Sequence, residues 1–125
     1  GRRAAVLSDV TFAVRDGERL RTIGKAYSGL TDQEIAELTR WFQAHTVRDL
    51  GRVKVVEPQV VLEVAFDAIT RSDRHDSGYA LRFPRIKRLR PDLSPAQIST
   101  LEDVRRLYER QLVRGEGAPR ARARA

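Results

Sequence analysis

The stretch Ser77-Gly-Tyr-Ala-Leu-Arg-Phe-Pro-Arg-Ile-Lys-Arg-Leu-Arg-Pro-Asp92 threads cationic side chains through a strand-like alternation of apolar residues. Pro84 interrupts the alternation, and because proline cannot donate to a sheet ladder, we expect an edge position or a bulge there. No carboxylate separates the cations before Asp92. Their charge is not cancelled locally, so we predict a strand that handles an anionic partner such as phosphate. The cations are Arg82, Arg85, Lys87, Arg88 and Arg90.

Further strands are predicted upstream. Alternate positions of residues 3–14 are largely apolar and stop at Asp16-Gly17, a pair that favours a two-residue turn. Residues 18–25 are therefore expected to return as the antiparallel partner. Residues 53–56 are typical of a short strand and residues 60–69 of a longer one.

The longer strand is expected to bury alternate side chains and to carry Glu63 and Asp67 on its opposite face. Two carboxylates in this arrangement also fit a catalytic acid–base pair. We favour ion pairs with the arginines of the neighbouring strand, because no companion segment that would form a cleft is visible. The expected buried residues are Val60, Leu62, Val64 and Phe66.

Two helices are predicted. The first has a capping box formed by Thr31 and Glu34 and is expected to end near residues 49–51. The second starts at Ser94-Pro95, with proline in its favoured first-turn position. Its apolar stripe comprises Leu101, Val104, Leu107, Tyr108 and Leu112.

About five strands, one inserted helix and a C-terminal helix predict a mainly β fold, namely a five-stranded oligonucleotide-binding (OB-fold) barrel over residues 1–113. Residues 114–125 are basic and have no core-forming pattern, so we expect a disordered tail. The 125 residues carry a net charge of +7, which points to polyanions as partners. The chain contains no cysteine, which excludes disulfides and thiolate chemistry. No phosphate-loop, dinucleotide-binding or zinc-protease motif occurs.

The chain has no apolar run long enough for a membrane helix, so we expect a cytoplasmic protein without a membrane partner. It contains no methionine, and we expect an excised part of a longer polypeptide. His45 and His75 lie far apart in the sequence, so no metal site is predicted.

Three blocks of the sequence together resemble the C-terminal OB-fold domain of ATP-dependent DNA ligases. The first, residues 24–32, is similar to the family's glycine-containing turn before the inserted helix. The second, residues 63–72, is similar to its penultimate conserved motif. The third, residues 77–92, is similar to its final nucleotidyltransferase motif.

The resemblance implies that the whole enzyme uses ATP and Mg²⁺, transfers adenylate to a lysine and then to a DNA 5′-phosphate, and seals the nick. The acceptor lysine belongs to a Lys-x-Asp-Gly motif, which is absent from this chain. We therefore expect the isolated domain to be inactive and the Mg²⁺ to be held mainly by the missing adenylation domain and the nucleotide. The implied partners are nicked duplex DNA and that adenylation domain of the same enzyme, and the enzyme is expected to act as a monomer.

The resemblance also implies roles for individual residues. In the final motif, basic side chains orient the β- and γ-phosphates of ATP, and Asp92 orients an arginine. Leu93 stands where many members of the family carry a lysine, which removes one cation expected near the triphosphate. The phosphate-orienting candidates are Arg82, Arg85, Arg88 and Arg90. The candidate contacts to the DNA backbone are Lys25, Arg71, Arg74 and Lys87.

Several alternatives stay open. A stand-alone OB-fold protein could bind single-stranded nucleic acid without catalysis, using the rings of Tyr27 and Tyr79 for stacking. An RNA ligase or a capping-type nucleotidyltransferase shares the phosphate chemistry. The basic strand could also be a solvated sheet edge whose charges deter aggregation. Arg71 and Arg74 lie in a loop of mixed charge, which needs no ligand.

Overall fold

The computed structural model describes residues 9–26, 28–51 and 54–113, and the backbone of residues 114 and 120–124. The elements, in chain order, are β1 (Val10–Asp16), β2 (Arg19–Ala26), α1 (Asp32–Ala44), β3 (Thr46–Asp49), β4 (Lys54–Val56), β5 (Val61–Ala65), β6 (Ala68–Arg71), β7 (Tyr79–Arg82), β8 (Arg85–Leu89), α2 (Leu101–Arg114) and β9 (Arg120–Arg124), with a short 3₁₀ turn at Pro95–Gln97.

Strands β1 and β2 form the predicted hairpin. They pair antiparallel from Asp16↔Arg19 to Val10↔Ala26, and Gly17 adopts a positive φ of 62° in the turn. Glycine reaches this conformation without a steric cost. The hairpin prediction is confirmed, whereas the start of the predicted first strand, residues 3–8, lies outside the described residues.

Helix α1 begins with the predicted capping box. The backbone N–H of Glu34 donates to Thr31 Oγ1 over 3.1 Å, and the Thr31 N–H donates to the Glu34 carboxylate over 2.9 Å. The prediction that helical structure continues to residues 49–51 is wrong, because the helix ends at Ala44 and Thr46–Asp49 form β3 against β4. The β-branched residues Thr46 and Val47 suit a strand better than a helix end.

The predicted strand over residues 60–69 is divided in two. Strand β5 pairs with β8, and β6 pairs with β7 in a separate two-stranded sheet. The chain leaves one sheet for the other at Phe66-Asp67, where the Asp67 N–H donates to the Arg82 carbonyl over 2.9 Å. Leu62, Val64 and Phe66 are fully buried as predicted, and Val60 is partly buried. Strict alternation does not hold within β5, because Val61 and Ala65 are buried as well.

The basic stretch divides at the matching position, because Phe83 and Pro84 separate β7 from β8. Proline has no N–H to donate, so a sheet ladder cannot continue through it. Strand β8 lies at the edge of the five-stranded sheet, whose order is β2-β1-β9-β5-β8. The expectation of an edge or bulge near Pro84 is confirmed.

The C-terminal helix begins later than predicted. Ser94-Pro95 starts only the 3₁₀ turn, and α2 starts at Leu101 after reciprocal hydrogen bonds between Thr100 and Asp103. Val104 is fully buried, but Leu112 is exposed, so the predicted apolar stripe is shorter than expected. None of the described helices is long and apolar enough to span a membrane.

The basic tail departs from the expectation of disorder. Residues 120–124 form β9, which pairs antiparallel with β5 and touches β1 at Ala13↔Arg124. The alternation of arginine and alanine is compatible with the two-residue period of a strand. Residues 115–119 and 125 lie outside the described part of the chain.

The fold is mainly β with two helices, as predicted. The described strands number nine rather than about five, and they form three sheets, so closure into a five-stranded barrel is not established. One hydrophobic cluster contains residues of both helices and of the strands β1, β2, β5, β6, β7 and β8. Its fully buried large side chains are Phe12, Val14, Ile23, Leu62, Val64, Phe66, Ile69, Ile86 and Val104.

Candidate phosphate-binding surface

Strand β8 presents the basic residues along the open edge of the sheet. Its register with β5 passes from Ile86↔Val64 to Arg88↔Glu63, which leaves Lys87 as the extra residue of a bulge. A bulge redirects side chains that a regular strand would alternate between the two faces. Lys87 and Arg88 are accordingly both exposed, while Ile86 is buried in the core.

Glu63 contacts two of the candidate arginines. One of its carboxylate oxygens accepts a hydrogen bond from Arg90 Nη1 over 3.1 Å, and the other lies 3.6 Å from Arg88 Nε. The Glu63 side chain is only 12% exposed, whereas that of Arg88 is 59% exposed. A largely shielded carboxylate therefore contacts one end of an arginine whose side chain is mostly exposed to solvent.

Arg90 is also held by Asp92. Arg90 Nε donates to Asp92 Oδ1 over 3.0 Å, and Nη2 donates to Oδ2 over 2.7 Å. This bidentate geometry is the one with which arginine also binds phosphate. The hydrogen bonds that Arg90 donates to Asp92, together with the charges of Asp92 and Glu63, raise the pKa of Arg90 above its usual value against the opposing effect of burial. The guanidinium is thus fixed and charged, with its Nε/Nη2 fork already occupied by a carboxylate.

Arg85 pairs with the other carboxylate of the neighbouring segment. Its Nη1 lies 3.3 Å from Asp67 Oδ1 and donates to the Phe83 carbonyl over 3.3 Å. The prediction that Glu63 and Asp67 form ion pairs with the arginines of the adjacent strand is confirmed.

Phe83 was not identified from the sequence. It is the one non-glycine residue with a positive φ, 51°, in the described part of the chain, and its ring is 64% exposed. The Arg82 guanidinium lies over the ring, 5.1 Å from its centroid. The Phe83 side chain therefore does not contribute to the hydrophobic core, and it lies on the surface of the basic segment. Its position before Pro84, where ordinary helical geometry is disfavoured, was the available signal.

The loop before β7 is fixed to β2 by Asp76. The Asp76 carboxylate accepts hydrogen bonds from the Thr22 N–H over 2.8 Å and from Thr22 Oγ1 over 3.0 Å, and it lies 3.7 Å from Arg21 Nη1. Burial raises the pKa of Asp76, but the Thr22 hydrogen bonds and the Arg21 charge outweigh that effect and lower it overall. This loop carries the exposed Arg74, and its position is therefore set by β2.

The first and third sequence blocks meet in the fold. The Ile86 N–H donates to the Ser28 carbonyl over 3.0 Å. Gly29 has a φ of +108°, and a Cβ at that position would overlap the carbonyl oxygen of Ile86. Only glycine allows the turn to approach β8 this closely. The turn after β2 therefore packs against β8 at Ile86, the residue before Lys87. Lys25 lies near the end of β2, shortly before this turn.

The remaining candidates differ in exposure. Lys25 is exposed on β2, and Arg71 is exposed with its guanidinium 5.6 Å from the centroid of the Tyr79 ring. Tyr79 itself is buried and packs against Tyr108, so it offers no platform for base stacking. Tyr27 lies outside the described residues.

The described residues do not supply a metal site. Within them, no three His, Cys, Asp or Glu side chains are grouped closely enough to hold a metal ion. The carboxylates nearest to the candidate arginines are each engaged in ion pairs.

Sequence comparisons add the family context. Residues 3–93 match the family described as ATP dependent DNA ligase C terminal region. The chain is 60% identical over 111 residues to a probable DNA ligase from Koribacter versatilis, covering 89% of the chain and 19% of that protein. It is 59% identical over 110 residues to a probable DNA ligase from Opitutus terrae, covering 86% of the chain and 11% of that protein.

A more distant relative is DNA ligase 1 from Korarchaeum cryptofilum, which is 41% identical over 114 residues, covering 90% of the chain and 21% of that protein. The chain thus spans about a fifth of the length of this relative and of the one from Koribacter, and about a tenth of the one from Opitutus.

Proposed function

Because the chain belongs to the C-terminal region family of ATP-dependent DNA ligases, we propose that it binds DNA and orients the phosphates of ATP for an enzyme that seals nicks in duplex DNA. The adenylation domain of the same polypeptide supplies the nucleophilic lysine, ATP and Mg²⁺ act at the level of the whole enzyme, and the isolated chain is inactive. The enzyme acts as a monomer on nicked duplex.

One observation carries this proposal. Several arginines lie on one connected segment, and a carboxylate contacts each of them from one side. Asp67 contacts Arg85 and Glu63 contacts Arg88, yet these guanidinium groups are 44% and 59% exposed. Held in this way, an arginine loses little conformational freedom when a phosphate binds. These contacts therefore favour the interpretation of the segment as a preorganised anion-binding site over its interpretation as a merely solvated sheet edge.

In the adenylation step, the lysine nitrogen bonds to the α-phosphorus and the bond from that phosphorus to the bridging oxygen of the β-phosphate breaks. Pyrophosphate leaves with the electron pair. Arg82, Arg85, Arg88 and Arg90 would orient the β- and γ-phosphates and stabilise the charge that develops on the leaving group. Asp92 would hold Arg90 in place until phosphate approaches, and Leu93 adds no charge at this point.

Once adenylation is complete, the same domain would contact the DNA backbone. The contact candidates from the sequence are Lys25, Lys87, Arg71 and Arg74. Lys25 and Lys87 are exposed near the place where β8 meets the turn after β2, which supports DNA backbone contacts there. The contact of Asp76 with Thr22 supports a fixed position for Arg74. Contacts of this kind bind phosphate without reading sequence.

We also propose that the strands form an OB-fold barrel. Support comes from the shared hydrophobic cluster and from the Asp76–Thr22 contact, which ties the β6–β7 sheet to β2. Stacking of single-stranded bases on Tyr79 is not favoured, because that side chain is buried.

The test of phosphate orientation uses the intact ligase with labelled ATP. Arg85→Ala, Arg88→Ala and Arg90→Ala should each slow formation of the covalent enzyme–AMP by about 100-fold, since each removes a preorganised donor. Sealing of a nick that already carries AMP should change much less. Arg106→Ala, which breaks an exposed ion pair on α2, is the matched control. Normal adenylation in all three variants would disprove the proposal.

The test of DNA binding is the salt dependence of the affinity for nicked duplex. Lys25→Ala and Lys87→Ala should each reduce the slope of log affinity against log salt by about 0.9, the value expected for one lost phosphate contact. Lys54→Ala removes a cation that is paired with Asp49 on the β3–β4 hairpin and serves as the control. Unchanged slopes for Lys25→Ala and Lys87→Ala would exclude them as backbone contacts.

A further inference from the structure

Strand β5 carries a single charged residue among buried apolar ones. Its sequence is Val-Leu-Glu-Val-Ala, and the four apolar residues are buried in the core. An ionised carboxylate at such a position is costly unless charged partners hydrogen-bond to it. Glu63 is 12% exposed and meets its described partners on β8 and on the turn that follows it, at Arg88 and Arg90.

The two carboxylate oxygens of Glu63 are divided between the two arginines. Oε1 accepts from Arg90 Nη1 at 3.1 Å, and Oε2 lies 3.6 Å from Arg88 Nε. One rigid carboxylate therefore fixes the spacing of two guanidinium groups that would otherwise repel each other. The bulge at Lys87 sets this arrangement, because it brings Arg88 opposite Glu63 in the sheet register.

We propose that Glu63 is a positioning residue for the adenylation step, holding Arg88 and Arg90 at the separation that a triphosphate requires; this rests on the proposed function. Glu63 does not touch ATP. It acts through the two arginines, whose preorganisation lowers the cost of aligning them with the leaving pyrophosphate. The exposed pair with Arg88 adds little to stability, so stability alone does not account for it.

Glu63→Gln tests this inference in the intact ligase. Glutamine keeps the length of the side chain but has one acceptor oxygen instead of two, so one of the two guanidinium groups loses its contact with an oxygen of residue 63. We expect the maximal rate of enzyme–AMP formation to fall by about 10- to 100-fold, the range typical of residues that orient functional groups. Sealing of a nick that already carries AMP should stay within about twofold of the wild-type rate, because that step needs no pyrophosphate departure.

Glu102→Gln is the matched control, since Glu102 also serves two arginines, Arg105 and Arg106, but on the surface of α2. It should leave both steps unchanged. Glu63→Asp keeps both oxygens on a shorter side chain and should lose less adenylation than Glu63→Gln, with sealing preserved. Equal losses of adenylation and sealing in both Glu63 variants would show a purely structural role and overturn the inference.

A second measurement separates this inference from the proposal it rests on. In an Arg88→Ala/Arg90→Ala background, adding Glu63→Gln should slow adenylation by no more than about twofold, because its targets are gone. An additive loss would overturn the positioning role. If the double arginine variant adenylates normally, the proposed function itself fails; if it is slow while Glu63→Gln is normal, only the positioning role fails.

Discussion

Two regions of the molecule use the same device, one glutamate between two arginines, in different ways. On α2, Glu102 contacts Arg105 and Arg106 from three and four residues away on the same helix surface. All three side chains are about half-exposed or more. Such pairs form wherever the helix forms, and water can replace them at little cost.

On β8 the glutamate comes from a different strand. Glu63 precedes Arg90 by 27 residues, and its side chain is only 12% exposed. The contact exists only when β5 and β8 are paired in the observed register. A local ion pair therefore depends only on helix formation, whereas a long-range ion pair depends on the tertiary fold and can position groups for function.

The largest expected loss of stability comes from disrupting the packing of the Gly29 turn against β8. Gly29→Ala introduces a Cβ that overlaps the Ile86 carbonyl at a φ of +108°. We expect the free energy of unfolding, measured by urea denaturation, to fall by about 3 kcal/mol from strain and displacement of β8. Gly51→Ala is the control, since its φ is +87° but nothing lies within 4 Å; it should lose only about 1 kcal/mol. Equal losses would contradict the close approach of the turn to β8.

A smaller loss of stability is expected when the contact between α2 and β6 is removed. Gln111 donates from Nε2 to the Ile69 carbonyl over 2.7 Å and accepts from the Ile69 N–H over 2.8 Å. Gln111→Leu removes both bonds and should lower the free energy of unfolding by about 2 kcal/mol. The amide of Ile69 should also exchange faster with solvent. Arg110→Leu, a change at the exposed neighbouring position, should affect neither; a comparable loss there would mean that the helix, not the Gln111 contact, is responsible.

The smallest expected effect on stability concerns a contact that is distant in sequence but exposed to solvent. Asp76 contacts Thr22, 54 residues away, but its side chain is 51% exposed. Because its pKa is lowered in the folded state, its contribution to stability is present above its ordinary pKa of 3.8 and is lost as the pH falls through the folded value.

Asp76→Asn should therefore cost no more than about 1 kcal/mol at neutral pH, and the cost should shrink in acid. Denaturation of wild type and variant at pH 7 and pH 3 measures this difference. Asp73→Asn in the same loop is the control. A cost that is the same at both pH values would show that charge on Asp76 contributes nothing.

The sequence predicted the local elements well. The Asp16-Gly17 turn and the Thr31–Glu34 capping box depend on residues that are neighbours in the chain, and both were found as expected. The pairing of Glu63 and Asp67 with arginines of the adjacent strand was also predicted, because no companion segment that would form a catalytic cleft was visible in the sequence. The interruptions of the two strands at Asp67 and Phe83 were not, since they arise where the chain exchanges one sheet for another.

What the sequence determined by itself was a mainly β chain with two helices, a basic final strand and a specific family resemblance, because these depend on residue type and short spacing. Tertiary structure alone decided which carboxylate holds which arginine, the exposure of Phe83, the seating of Gly29 on β8 and the anchoring of Gln111 on β6. These features depend on strand register and close packing between segments far apart in the chain, and neither periodicity nor composition specifies them.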